Sequence, residues 1–138
     1  MIKAELGRQL MIRLSDKVGT LAQVTSALAA HGINMTAVCA YAINELVAIM
    51  FVTEDNNAAK KLLESKNIKV QEEEVILLSV DNKPGALQAV MDKIAEAGID
   101  LTLVYGSVDS RSEVSRIVII SRNNLDIMMV IKTELERG

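Results

Sequence analysis

The chain has 138 residues, 50% hydrophobic and 24% charged, with a formal net charge of −3. That balance belongs to one ordinary folded domain or two small ones and excludes a disordered chain. It also argues against nucleic acid, because there is no lysine and arginine surplus to meet a phosphate backbone, and Phe51, Tyr41 and Tyr105 are the only aromatics available for stacking on single strands.

The opening "MIKAELGRQLMIRL" is charged throughout, unlike a signal peptide. No run reaches the ~18 apolar residues that cross a bilayer. The single cysteine, Cys39, excludes an internal disulfide and fits a reducing compartment. A cytoplasmic protein with no membrane partner is predicted.

In chain order, an apolar run at 10–14 predicts a first strand, followed by the loop "SDKVGTL" at 15–21. Leu21, Val24 and Leu28 then fall on one helical stripe. Gly32 stands where a helix takes a left-handed residue after its end. "INMTAVCAYAI" (33–43) and "LVAIMFVT" (46–53) read as a hairpin of β-branched strands. A second helix follows at 56–66, introduced by "EDNNA", and a short strand at 68–71.

The order then starts again. A strand at 75–80 precedes "DNKPGAL" at 81–87, which holds the only proline. Leu87, Val90 and Ile94 repeat the stripe, Gly98 repeats the stop, and "IDLTLVYGSV" with "SRIVIIS" repeats the hairpin. Its turn, through 107–113, is longer by two residues. A last helix is predicted at 124–136, introduced by "RNNLD".

Placing Gly19 on Gly85 sets an offset of 66 residues, and nine of the 22 positions in 17–38 are then identical to those in 83–104 without a gap. This is a tandem duplication. Residues 1–72 carry 8 basic and 7 acidic side chains and residues 73–138 carry 7 and 11, so the second repeat is the acidic one. The expected fold class is α+β, with two tandem ferredoxin-like βαββαβ units over 1–72 and 73–138. Each would be an antiparallel sheet with helices on one face. The second unit lacks a last strand of its own. Its open edge needs cover, from residues 2–6 or from a partner chain. Only 71–74 separates the last strand of repeat 1 from the first of repeat 2, so one long strand could serve both. A plait of this size buries little core alone, which points to a homodimer.

The same plait serves unrelated functions, so the loops must decide. There is no Cys-x-x-Cys for a soft metal, and no aromatic pair on the central strands for RNA. No loop arginine is present for acylphosphatase-like chemistry. The residues "SDKVGTL…HGINM" and "DNKPGAL…AGIDL" resemble the ligand-binding loops of ACT domains, the amino-acid-sensing regulatory modules, over nearly the whole chain. The resemblance implies a non-catalytic sensor that binds a small amino acid at an interface between domains and controls an enzyme partner, with no metal or cofactor. It assigns the effector to Asp16, Val18, Gly19, Thr20, Leu21 and Asn34 in repeat 1. In repeat 2 it assigns Asn82, Pro84, Gly85, Ala86, Leu87 and Asp100.

The chemistry of such a site follows from those residue types. A glycine lets a backbone approach a ligand. A helix start attracts a carboxylate, and Pro84 suits a first helical turn. An Asn both donates and accepts, whereas an ionised Asp only accepts. The polar letters alternate: Asp16 with Asn34, then Asn82 with Asp100. Two non-equivalent sites are expected. Some serine-sensing relatives carry a His before the loop. Here Leu14 and Val80 stand there, predicting an apolar wall for an aliphatic ligand. The alternatives are an interaction module with no metabolite and, less favoured, an acylphosphatase-like enzyme.

Overall fold

A computed structural model describes residues 1–15, 18–107 and 110–136. The elements are β1 (Ile2–Ser15), α1 (Thr20–Ala30), β2 (Met35–Ile43), β3 (Leu46–Thr53), α2 (Asn56–Ser65), β4 (Gln71–Asp81), α3 (Ala86–Glu96), β5 (Leu103–Ser107), β6 (Val114–Ile120) and α4 (Asn124–Val130). A π-helical turn, Ile131–Leu135, follows.

These elements form two compact units, Arg8–Glu73 and Met1–Gly7 with Glu74–Gly138. The second repeat begins one residue after the sequence division at 72/73, and residues 1–7 go with it. β1 and β4 therefore each contribute to both units. The strand at 75–80 is the later part of β4, whose start supplies the end of the first unit. The segment 68–70 precedes β4 rather than forming a strand, although Val70 is buried.

In the unit Arg8–Glu73 the strand order is β2-β3-β1. Antiparallel pairs run from Leu10↔Phe51 to Ser15↔Leu46 and from Met35↔Thr53 to Ile43↔Leu46. Alternate strand residues Leu10, Ile12, Ile49 and Phe51 meet Val24, Leu28, Ala59 and Leu63 from the two helices in one core. Helical spacing puts Val24 with Leu28 and Ala59 with Leu63, each four apart. Full burial of each Leu or Phe contributes about 1.5–3 kcal/mol.

In the other unit the order is β1-β4-β6-β5. Here the missing last strand is supplied by residues 2–7. Ala4 is fully buried and joins Ile76, Leu78, Val90, Ile94, Ile119 and Ile127 in the core. Gly7 is part of that fit: a Cβ there would lie 2.6 Å from Leu77 Cδ1. The alternation of Ile2, Ala4 and Leu6 with Lys3 and Glu5 is the strand signal for this segment.

α1 and α3 both end in the same motif. Gly32 and Gly98 have φ of +69° and +71°, while Ile33 N–H donates to the Leu28 oxygen and Ile99 N–H to the Ile94 oxygen. The last helix departs from the sequence pattern, since α4 stops at Val130 and widens into the π turn. That turn keeps Ile131 in the core below Ile127.

Candidate functional site

Gly19 and Gly85 share one backbone conformation, and in the second loop it closes a turn. Ala86 N–H donates to the Lys83 oxygen at 3.2 Å, and Gly85 has φ 87° and ψ −13°. With Pro84 at the second position, this is a type II turn. Gly19 has φ 87° and ψ 3°, the same corner. A Cβ at either glycine would meet nothing within 4 Å, so the sign of φ, not crowding, requires glycine there. Pro84 lies two residues before the first helical residue, Ala86, and not in the helical turn itself. Its fixed φ sets the turn.

Among the described residues neither α1 nor α3 has a side-chain cap at its start, the N-cap residue of each being a glycine. The first-turn N–H groups of Leu21 and Leu87 thus lie where an anion would be favoured. Around them stand apolar side chains. Val18 is fully exposed, Leu21 39% and Leu87 38% exposed, so these two leucines form the rim of each loop and not part of the buried stripe. Thr20 is buried, with its hydroxyl donating to the Ser15 oxygen. The expected apolar wall is placed differently: Val80 is buried in the core of its own unit, and Leu14 packs against the core of the other unit, Arg8–Glu73. Asp16 lies outside the described residues.

Asn82 is engaged on its own hairpin. Its N–H donates to the Glu113 oxygen at 2.9 Å and its side-chain amide to the Ser112 oxygen at 2.8 Å. The adjacent Asp81 carries an ion pair with Lys83 at 3.8 Å.

Asn34 and Asp100 stand elsewhere. Asn34 follows the far end of α1, is exposed, and points its amide to Glu54 Oε1 at 3.5 Å. It lines an open cavity of about 330 Å³ with His31, Glu54, Asp55 and Leu62. His31 Nδ1 is held at the Ala27 oxygen, 3.1 Å away. Asp100 follows α3 and its main-chain oxygen accepts from the Ser121 hydroxyl at 2.8 Å. An 11-residue helix separates each glycine from its Asn or Asp, which is about 16 Å of rise. A single amino acid cannot touch both ends of one unit.

What lies beside the first loop instead is the β2–β3 hairpin tip, through the pairs Ser15↔Leu46 and Ile43↔Leu46. Ile43 and Leu46 are both more than half exposed. Their two-residue turn, with Asn44 at φ 59°, was a legible hairpin signal, but its place at the loop was not. Among the described residues no group of three His, Cys, Asp or Glu is placed to hold a metal ion. No helix among them is long and apolar enough to cross a membrane.

Residues 8–65 match the family model of the ACT domain. This segment is an ACT domain. The second unit repeats that segment's sequence pattern and its order of strands and helices. No curated protein sequence matches significantly. Among solved structures, the protein BT0572 from Bacteroides thetaiotaomicron is 29% identical at a TM-score of 0.86, covering 94% of this chain and 88% of that one. The ligand-free regulatory subunit of aspartate kinase from Thermus thermophilus is 15% identical at 0.67, covering 98% and 97%. Its counterpart from Thermus flavus is 17% identical at 0.62, again covering 98% and 97%. The fold is thus shared with those three proteins.

Proposed function

We propose that the chain is a regulatory protein without catalytic activity of its own. It binds a small amino acid between the Gly loop of one copy and Asn34 of a second copy, and passes that state to an enzyme partner. ACT-domain membership of residues 8–65 supports the regulatory part. The observation that carries the site is the separation of its two halves at opposite ends of α1, which one copy cannot bridge.

β2 offers the means to join them. It is the outer strand of its unit and its nine residues, MTAVCAYAI, include no charge. Charged residues and prolines are the ordinary protection of a free strand edge, and here they are missing. Two such edges pairing antiparallel about a two-fold axis face no like-charge opposition. The start of one β2 then lies level with the end of the other. Since Ile43 at that end neighbours the loop through Leu46 and Ser15, Asn34 of the second copy arrives beside residues 18–21.

There the helix start suits a carboxylate, and the Asn amide serves carboxylate or ammonium. Val18 and Leu21 suit an aliphatic side chain. Binding would favour the paired state because only that state holds both halves.

Calorimetric titration with the common amino acids, alongside light scattering, tests this. A dimer that binds at least one of them is expected, and Val38→Lys, at the middle of the edge, should abolish both pairing and binding. No heat for any amino acid at millimolar concentration would overturn the reading.

A further inference from the structure

The cavity beside Asn34 carries more acceptors than donors. It offers about 330 Å³, and no lysine or arginine is among the residues that line it. Asn34 and Glu54 are tied to each other twice there. The Glu54 N–H donates to the Asn34 main-chain oxygen at 3.2 Å, and the Asn34 side-chain amide points to Glu54 Oε1 at 3.5 Å. Among the described residues Glu54 makes no ion pair.

These contacts fix which atoms are left for a ligand. A carboxylate only accepts, so the Asn34 amide turns its nitrogen to Glu54 and presents Oδ1 elsewhere. A carbonyl oxygen also only accepts, so His31 Nδ1 carries the hydrogen at the Ala27 oxygen, and the neutral ring keeps Nε2 as an acceptor. Asp55 is engaged at the start of α2, where its Oδ1 accepts from the Ala58 N–H at 3.0 Å. Glu54 is the carboxylate with no such duty. The C-terminal end of α1, at His31, adds a partial negative charge of its own.

The duplicate positions reverse the sign. Thr53 and Asn56 match Ser121 and Asn124 in their hydrogen bonds, which sets Glu54 against Arg122, while Asn34 corresponds to Asp100. The first unit combines an amide with a carboxylate, and the second a carboxylate with a guanidinium.

We infer that Glu54 sets the orientation of the effector: the ammonium group of the amino acid binds at this end, against Glu54 and Asn34 Oδ1, and the carboxylate goes to the helix start of the other copy. This rests on the proposed site between Asn34 and a second copy, and goes beyond it by choosing between the two charged groups that an asparagine can serve. An ammonium brings three hydrogens and a positive charge to these acceptors. A carboxylate in the same place would meet Glu54 with like charge. The second unit, with Arg122 at the matching position, has no such receptor for an ammonium.

Two ligands and three forms of the full chain test this. The ligands are L-valine and its 2-hydroxy analogue, which has a hydroxyl in place of the ammonium. The forms are the unaltered chain, Glu54→Gln and Glu54→Arg, and calorimetry reads the affinities. The unaltered chain is expected to bind L-valine at least about tenfold more tightly than the analogue, the effect of a charge-assisted hydrogen bond. Glu54→Gln should bring that ratio close to one, and Glu54→Arg should invert it. A ratio that is the same in all three forms overturns the orientation and leaves the effector site standing, as does equal affinity for the two ligands in the unaltered chain. Heat from neither ligand overturns the reading of an aliphatic effector site, and the orientation falls with it.

Discussion

Asn56 donates its side-chain amide to the main-chain oxygen of Arg8 at 2.9 Å, and Asn124 does the same to Glu74 at 3.1 Å. Each also accepts, Asn56 from the Thr53 N–H and Asn124 from the Ser121 N–H. In both units one asparagine therefore ties the start of the second helix to the strand that opens the unit. Asn124→Ala leaves a buried N–H and C=O without a partner and is expected to cost about 1–3 kcal/mol. Urea unfolding measures it, and Asn56→Ala, at a more open position, should cost less.

Gly85 and Gly19 should resist any Cβ although there is room for one. With φ at 87° in both, Gly85→Ala and Gly19→Ala should each destabilise by about 1–2 kcal/mol. Asparagine, which tolerates this region, should cost less than alanine at either site. Equal cost for the two replacements in thermal unfolding would show that the turn had changed shape instead.

Gly7 is the opposite case, limited by space. Its added Cβ would press on Leu77, so Gly7→Val should cost about 1–3 kcal/mol by overpacking. Combining it with Leu77→Ala should recover part of that cost, giving a coupling of roughly 0.5 kcal/mol or more in a double-mutant cycle.

Glu136 gives the fold an acid-sensitive contact. The Lys132 ammonium, 2.9 Å away, holds its carboxyl below the ordinary value, with the Ala4 N–H adding to this against some desolvation. A depressed folded-state pKa contributes stability above the unfolded value of 4.5 and loses it as pH falls through the folded value. Glu136→Gln should therefore be less stable than the parent at neutral pH, with the gap closing below about pH 4.5. The pair is surface-exposed, so the neutral-pH gap should be small. Denaturant midpoints across pH 3–7 measure it.

The sequence pattern carried the plan of each unit well. Val24 with Leu28 and Val90 with Ile94 marked the buried helix faces, and β3 spans the predicted 46–53. Gly32 and Gly98 marked helix ends, but Asn67 ends α2 at φ 64° without a glycine. The candidate site was less legible. The letters of "SDKVGTL" and "HGINM" are close in sequence, yet a straight helix holds them apart, and only pairing registers reveal that the hairpin tip is the loop's neighbour. The tie between Asn82 and Ser112 depends on the path of a longer turn that no local pattern specifies. The segment 68–70 has the apolar letters of a strand, but Val70 turns into the core before the ladder begins.

The strand β1 that runs through both units sets an order of assembly. Residues 1–7 leave the ribosome before Arg8–Glu73, yet the strand segment that they complete starts at residue 74. At roughly 5–20 residues per second, some seconds pass before that counterpart exists. Arg8–Glu73 can close during this interval while the earliest residues wait. Residues made ahead of both cores are thus among the last to find their place.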